Sequence, residues 1–429
     1  MSFFHFESRH SPQILTGDCL EILKTLASES IDCCVTSPPY YGLRDYGTAA
    51  WEGGDATCRH RVGSQVTDSK APGAIVSGMR PGADTSCCLD CGAIRIDQQI
   101  GIELTPELYV TKIVAVFEEI RRVLKNTGTL WLNLGDSYSN DDKWGGVSGG
   151  KHVKNLHGAT GIGRSKVHTG LKPKDLIGIP WECAFALRAA GWYLRSDIIW
   201  QKENVMPESI KDRPTKSHEY VFLFSKSKLY YYDADAVAEP SVGGHVRGPA
   251  LHPDASTNGN GGLARRPNAP TRNRRTVWSI NTKPFREAHF ATMPPDLAAL
   301  CIAAGSSEHG CCPACGKPWR RLVERTDQGH DGSRYGERAV AATGGALDGG
   351  TAKSTLGSSH GALTGQRVLR GWEPSCACQE QPPVPSVVLD PFGGAGTTGL
   401  VAQRLGRRSM LIELNPEYAK IARERIDQD

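Results

Sequence analysis

Val388-Leu389-Asp390-Pro391-Phe392-Gly393-Gly394-Ala395-Gly396-Thr397-Thr398 reads as a buried strand, a glycine turn and the first residues of a helix. Glycines let the backbone approach a ligand closely, and the first turn of a helix presents N–H groups that have no partner within it. The pattern predicts a strand over Val387 to Leu389 and a helix from Thr397 to Leu405. A second strand follows at Ser409 to Glu413, with Pro416 to Ile426 as a closing helix. Glu413 therefore ends the strand after the turn, where a dinucleotide-binding fold carries the acid that holds a ribose. Strand, turn, helix, strand and acid in this register fit an adenosine-containing cofactor.

Upstream the same alternation recurs. Gln13 to Leu15 reads as a short strand ending at Gly17-Asp18, followed by a helix with Leu20, Leu23 and Leu26 on one face. Ile31 to Val35 is an apolar run of strand length that breaks at Ser-Pro-Pro. Thr105-Pro106 pairs a capping residue with a first-turn proline. Leu108, Ile113, Val116, Ile120 and Leu124 then keep helical spacing up to Asn126, and Thr129 to Leu134 is a strand. A helix at Trp181 to Ala190, strands at Tyr193 to Trp200 and Tyr220 to Phe224, and a helix at Pro295 to Ala304 complete the reading. Strands alternating with helices predict an α/β domain whose largely parallel sheet is covered on both faces.

Three stretches break the rhythm. Residues 48–98 hold turn-formers and cysteines, 233–290 are polar and arginine-rich, and 306–385 carry cysteines at both ends. The middle of the last, Gly329 to Gly365, is rich in Gly, Ser and Ala, a composition expected to be flexible. These stretches read as insertions in one domain rather than as separate domains. One half of that domain then comprises 1–47 and 99–232, and the other 291–305 and 386–429.

Val35-Thr36-Ser37-Pro38-Pro39-Tyr40-Tyr41 sits directly after a buried strand. In open α/β sheets ligands bind beyond the carboxyl ends of the strands, so the position suits a site. A base amine is a poor nucleophile because its lone pair is delocalised into the ring. Acceptors aimed at its N–H groups, such as the Ser37 hydroxyl and the Pro38 carbonyl, favour a more tetrahedral and more nucleophilic nitrogen. Pro38 and Pro39 stiffen the loop, so the acceptors are placed in advance. The Tyr40 ring can stack on an extruded base.

The 429 residues are 39% hydrophobic and 22% charged, with a net charge of +4. The composition is that of a globular protein, and the charge is too small to identify a partner. The N-terminus has no secretory pattern, and no run approaches the roughly 20 apolar residues that span a bilayer. A cytoplasmic protein with no membrane partner is expected, and in that compartment the 14 cysteines read as thiols or metal ligands.

The two motifs together resemble the amino-methyltransferases of the N4-cytosine/N6-adenine DNA group. Their catalytic motif has the form (Ser/Asp/Asn)-Pro-Pro-(Tyr/Phe), and their cofactor motif resembles Asp-Pro-Phe-x-Gly-x-Gly-Thr-Thr. Catalytic motif first and cofactor motif last is the circularly permuted order of the beta class. Leu15 to Leu20, Gly128 to Asn133, His218 to Phe224 and His289 to Leu297 resemble further family segments in the family's order. The likeness covers about two-thirds of the chain, excluding the insertions. It implies a Rossmann-like sheet that binds S-adenosylmethionine (SAM), with double-stranded DNA as partner.

Carried over by position, the resemblance places Phe392, Gly393, Gly394, Gly396, Thr397 and Thr398 at the cofactor, with Glu413 on its ribose and Asn415 nearby. It puts Asp18 near the adenine and Asp390 at the methionine end, while Ser37, Pro38, Pro39 and Tyr40 hold the base. The hydrophobic-Thr-Ser-Pro-Pro-Tyr form resembles the cytosine subgroup, whereas Asp-Pro-Pro-Tyr is commoner in the adenine subgroup. N4 of cytosine is thus the expected target and N6 of adenine the alternative. A zinc-bearing DNA-binding protein without activity is a further alternative, against which the intact loop and turn argue. Methylases of glutamine side chains in the wider group carry Asn-Pro-Pro-Tyr, from which Ser37 departs. No endonuclease motif is present; a cognate restriction endonuclease, or none, is compatible with the chain.

Cys58-x-His60 with Cys88-x-x-Cys91-Gly92 supplies four ligands of the types Zn²⁺ prefers, with Cys87 as a substitute for Cys88. Cys312-Pro-x-Cys315-Gly316 with Cys376-x-Cys378 forms a second set, with Cys311 as a possible ligand. Up to two structural zinc sites are expected, stabilising insertions that have few apolar residues to bury. For DNA, Lys143 to Lys174 has no acidic residue and includes Lys151, Lys154, Arg164, Lys166 and Lys172. Ser241 to Arg286 has one acid, Asp254, against Arg247, Arg265, Arg266, Arg272, Arg274, Arg275, Lys283 and Arg286. Basic loops on such a scaffold suit phosphate contact, and 233–290 is the expected target-recognition region.

Overall fold

Six consecutive residues, Ile31–Thr36, are buried without exception, as a strand packed on both faces requires. The computed structural model describes residues 12–42, 48–60, 87–103, 105–139, 169–241, 271–283, 292–326, 366–379 and 381–429. Its elements run β1 (Gln13–Thr16), α1 (Cys19–Thr25), β2 (Ile31–Thr36), β3 (Ala50–Glu52), β4 (Ile94–Ile96), α2 (Pro106–Val123) and β5 (Leu124–Leu134). They continue with α3 (Ile179–Ala189), β6 (Tyr193–Gln201), β7 (His218–Ser225), β8 (Glu239–Pro240), β9 (Thr271–Arg272), β10 (Val277–Ser279) and α4 (Pro295–Gly305). The last are β11 (Trp319–Thr326), β12 (Gln366–Pro374), β13 (Val387–Asp390), α5 (Thr397–Arg404), β14 (Arg408–Glu413) and α6 (Pro416–Asp427).

Eight strands form the central sheet in the order β1-β14-β13-β2-β5-β7-β6-β10. The first five are mutually parallel, β7 runs antiparallel to both neighbours, and β10 is parallel to β6. The sheet is thus mixed at one side, because β7 enters beside β5 from the opposite end. The permuted chain order is visible in its centre, where β13 from the end of the chain lies against β2 from its beginning.

Side-chain alternation divides the core in two. Cys34, Leu130, Leu132, Leu134, Phe222 and Phe224 pack on one face, with Leu23 of α1, Ile113 and Ile120 of α2 and Leu187 of α3. Cys33, Val35, Trp131, Val221 and Leu223 take the other face, with Leu297 and Ile302 of α4 and Val401 of α5. Helix α6 packs on β1, β14 and α5. Helix α2 begins as its sequence suggests, with Thr105 accepting from the Leu108 N–H (3.4 Å) and Pro106 in the first turn. Leu108 itself is exposed, whereas the adjacent Tyr109 is buried. The helix ends at Val123, three residues before the spacing suggests, because Leu124 turns extended and opens β5 five residues earlier than expected.

The chain divides into two units. The first comprises Met1–Val237, Arg275–Arg320 and Pro374–Asp429, and holds the central sheet and the antiparallel β3–β4 pair. The second comprises Ala238–Arg274 and Arg321–Glu373. In it Arg272 pairs with Glu239 (2.8 Å), Arg370 with Glu324, and the Arg321 guanidinium lies 4.5 Å from the Trp372 ring centre. The expected boundaries of 233–290 do not coincide with this division, since β10 joins the central sheet. The segments 143–168, 242–270 and 329–365 singled out from sequence lie outside the described residues. Among the described residues no helix is long and apolar enough to cross a membrane.

Asp32, at the start of β2, is a buried carboxylate that joins several elements. It accepts from Lys125 Nζ of β5 (2.7 Å), the Val387 N–H of β13 (2.8 Å) and the Cys311 thiol (3.1 Å). Removing one partner of such a group strands the others in a medium that solvates them poorly. Asp32→Ala is expected to lower unfolding stability by about 2–4 kcal/mol, read from the denaturant midpoint.

Candidate active site

A cavity of about 570 Å³ opens beyond the carboxyl ends of the parallel strands, where α/β sheets bind ligands. Both sequence motifs line it. Ser37, Pro38, Pro39 and Tyr40 form one wall. Asp18, Asp390, Phe392, Gly393, Gly394, Thr397, Thr398 and Glu413 form another. Gly396 and Asn415 are not among its lining residues. Gly396 has a φ of +76°, and a Cβ there would meet Ala422 Cβ of α6 at 2.9 Å. Asn415 caps α6 by accepting from the Glu417 N–H at 2.9 Å.

On the glycine-turn side of the cavity the acids are held by the chain itself. Asp390 Oδ1 accepts from Thr36 Oγ1 (2.6 Å) and the Phe392 N–H (3.1 Å), and Oδ2 accepts from Thr398 Oγ1 (2.7 Å). Burial raises the Asp390 carboxyl above its usual range, and these three donors partly offset it. Glu413 Oε2 accepts from the Gly394 N–H and Oε1 from the Asn415 N–H, both at 2.8 Å, so the acid fixes the turn as well as facing the cavity. Burial also raises the Glu413 carboxyl. Asp18 caps α1, accepting from the Glu21 N–H at 3.0 Å. Arg425 of α6 donates to Thr397 Oγ1 (2.9 Å) and Ala395 O (3.0 Å), tying the start of α5 from outside.

The opposite wall is a hydrogen-bonded network around Tyr40. Its hydroxyl donates to Glu219 Oε2 (2.6 Å), lies 3.0 Å from Asn133 Oδ1, and accepts from Ser37 Oγ (3.3 Å). Asn133 Nδ2 donates to Glu219 Oε2 (3.1 Å), and Lys202 Nζ pairs with Glu219 Oε1. Lys202 Nζ also sits 4.2 Å from the Trp200 ring centre, a cation–π distance. Tyr109 of α2 buttresses the loop by donating to Pro39 O at 3.0 Å. Burial and the Glu219 charge hold the Tyr40 phenol well above its ordinary range, so it stays protonated.

Glu219, Asn133, Lys202 and Trp200 line the cavity and were not assigned to the site from sequence. Asn133 carried a readable signal: a polar residue inside the otherwise apolar run Leu130 to Leu134 at the carboxyl end of β5. Glu219 lies near the start of β7, and only the antiparallel pairing brings that end to the carboxyl ends of its neighbours.

The structure assembles both cysteine sets. The ligand atoms of Cys58, His60, Cys88 and Cys91 lie within 4.8 Å of one another, as do those of Cys312, Cys315, Cys376 and Cys378. Cys58 and Cys88 sulfurs are 3.7 Å apart, and Cys91 Sγ is 3.3 Å from His60 Nδ1. Zinc–sulfur bonds of about 2.3 Å in a tetrahedron put sulfurs about 3.8 Å apart, so the first set is already at ligand spacing. The two knuckles share one backbone pattern. Cys88 N–H donates to Ala93 O (2.7 Å) and Gly92 N–H to Cys88 O (2.9 Å). Cys312 N–H donates to Lys317 O and Gly316 N–H to Cys312 O, both at 2.8 Å. Backbone amides of Cys315 and Ala314 lower the Cys312 thiol to about 7. Cys87 is outside the first quartet, and Cys311 directs its thiol to Asp32 rather than into the second.

Gly135 sets how the Tyr40 ring lies. A Cβ at this position would fall 2.6 Å from Tyr40 Cε2, well inside contact distance. Gly135→Ala is expected to displace the ring and reduce turnover by at least about 10-fold, with the melting temperature nearly unchanged. Initial rates and a thermal scan of the same preparation check this.

Comparison with known proteins identifies the family. The model of the N6/N4 DNA methylase family matches residues 31–312 and 381–424, more than half of the chain. The type II methyltransferase M.XycI of Xanthomonas campestris pv. cyanopsidis is 35% identical over 413 residues, covering 96% of this chain and 87% of that protein. M.SmaI of Serratia marcescens, also a type II methyltransferase, is 35% identical over 416 residues, covering 97% and 91%. Among solved structures, the PvuII DNA methyltransferase (cytosine-N4-specific) covers 97% of this chain and 93% of its own at a TM-score of 0.45 and 15% identity, too distant to add to the assignment. The family match and the two relatives carry it: the chain belongs to the N6/N4 DNA methylase family.

Proposed function

We propose that this DNA methylase transfers a methyl group from SAM to the exocyclic N4 amine of cytosine, with the base extruded into the cavity. The observation that carries the reading is that Ser37 opens the acceptor loop in the same cavity as the glycine turn. The hydrophobic-Thr-Ser-Pro-Pro-Tyr form, which resembles the cytosine subgroup, supports N4 over adenine N6.

SAM, when bound, supplies a methyl carbon made electrophilic by its sulfonium. The Gly394 turn and the start of α5 fit the cofactor, with Glu413 facing its ribose and Asp390 bracing the turn rather than reaching out. Ser37 Oγ spends its proton on Tyr40, which leaves its lone pairs for an amine N–H; the Pro38 carbonyl supplies the second acceptor. The chain's contribution is position and a prearranged field, in line with direct displacement. Cys33 and Cys34 beside the loop take no part. They point to opposite faces of β2, and burial raises both thiols, Cys33 to about 12.

The cysteine quartets support structural zinc, one ion in each, because all four positions are filled by protein and none remains open for substrate. The basic region within 233–290 is our candidate for target recognition; within it Arg272 is already paired with Glu239. The type II designation of M.XycI and M.SmaI supports a place in a restriction–modification pair.

Expression in a host lacking DNA methylation, followed by digestion to nucleosides and mass measurement, is expected to show N4-methylcytosine. N6-methyladenine would overturn the cytosine assignment. Ser37→Ala should lose about 100-fold in rate. Elemental analysis of the purified protein is expected to give two zinc ions per chain, and Cys91→Ser should remove one of them; a metal-free protein that melts normally would sink the zinc assignment.

A further inference from the structure

Methylating an amine leaves one proton too many. As the nitrogen bonds to the methyl carbon, the carbon–sulfur bond breaks and its electron pair goes to sulfur. The nitrogen then carries a positive charge until an N–H bond releases its proton to an acceptor. Ser37 is the hydroxyl held nearest the amine in our reading, and a serine oxygen accepts a proton only if it passes its own on.

We propose that Ser37, Tyr40 and Glu219 form a proton relay, with Glu219 as the terminal acceptor. The proposal rests on the assignment of Ser37 to the amine. The order of the relay follows from the hydrogen bonds. Ser37 Oγ donates to Tyr40 Oη at 3.3 Å. Tyr40 has one proton and two acceptors in reach, Asn133 Oδ1 at 3.0 Å and Glu219 Oε2 at 2.6 Å. The shorter bond, to a charged oxygen, takes it. Transfer then moves three protons one place each: nitrogen to Ser37, Ser37 to Tyr40, Tyr40 to Glu219. The bonds broken and formed balance, and the two hydroxyls end neutral.

Two features suit Glu219 to the end of the relay. Its second oxygen is paired with Lys202, which holds the carboxylate in place and leaves Oε2 to face Tyr40. Both side chains also line the cavity, so the proton has a route to water when product leaves. The Tyr40 phenol, held well above its ordinary range, does not ionise on its own. It passes a proton on only as it receives one. Glu219 acts through Tyr40 and Ser37, which makes it a positioning and relay residue rather than a contact of the base.

A purely structural role, holding the Tyr40 ring, predicts a different outcome from the relay. In Glu219→Gln the amide oxygen still accepts from Tyr40 but cannot take a proton. Single-turnover methylation with saturating SAM and target DNA is expected to slow about 100-fold in this variant. Its SAM and DNA dissociation constants should stay within about twofold of the parent. Tyr40→Phe keeps the stacking ring, removes the relay hydroxyl and should lose a similar factor, with the double variant no slower than either single one. The parent rate should fall in D₂O with a curved dependence on deuterium fraction, and Glu219→Gln should abolish the curvature. A Glu219→Gln rate within about threefold of the parent overturns the relay, as does a loss confined to DNA affinity. If Ser37→Ala also methylates at the parent rate, the loop assignment itself has failed; if only Ser37→Ala is slow, the relay alone has.

Discussion

Thr36 and Thr398 share the carboxylate of Asp390, and the two halves of the site depend on that sharing. Thr36 is the last residue of β2, directly before Ser37. Thr398 lies in the first turn of α5, directly after the glycine turn. A buried acid with fully committed oxygens is rigid, because moving either hydroxyl would strand charge in a poorly solvating medium. The Ser37 loop and the glycine turn are thereby placed relative to one another by a single side chain. In-line displacement needs such fixed relative placement, since misalignment of about an ångström is costly.

The sheet explains why 354 residues of sequence separation are no obstacle. β13 pairs in parallel with β2, so both strands point their carboxyl ends at the cavity. Permuting the order of motifs leaves that adjacency intact. At the other end of β2, Asp32 gathers Lys125, Val387 and Cys311, anchoring the strand on β5, on β13 and on the residue that precedes the second knuckle. The strand that carries the acceptor loop is thus held at both ends by buried carboxylates.

Sequence was most informative where a residue's role depends on its own neighbours in the chain. The glycine turn, the Ser37 loop, the cysteine pairs and the long amphipathic α2 were all legible, because spacing and local chemistry define them. Leu108 and Tyr109 show the limit: periodicity marks an apolar face but cannot say which of two adjacent residues meets the core. Gly396 and Asn415 were expected at the cofactor from their place in a motif; their contacts with Ala422 and Glu417 of α6 are tertiary or capping contacts that the motif does not announce. β10 is three residues long inside a basic stretch, too short for any period, and its pairing with β6 is purely tertiary.

Glu219 illustrates the hardest case. A reader who looks for site residues after strands in a parallel sheet examines carboxyl ends, and Glu219 is the second residue of its strand. Reversing one strand exchanges its ends. β7 therefore delivers an amino-terminal carboxylate to the place where β2 delivers Tyr40, β5 delivers Asn133 and the end of β6 leads into Lys202. With all strands parallel, the start of β7 would lie at the far side of the sheet, and Tyr40 would need another acceptor. The antiparallel insertion is thus more than a topological variation: it closes the hydrogen-bond network behind the acceptor loop and gives that network a charged terminus.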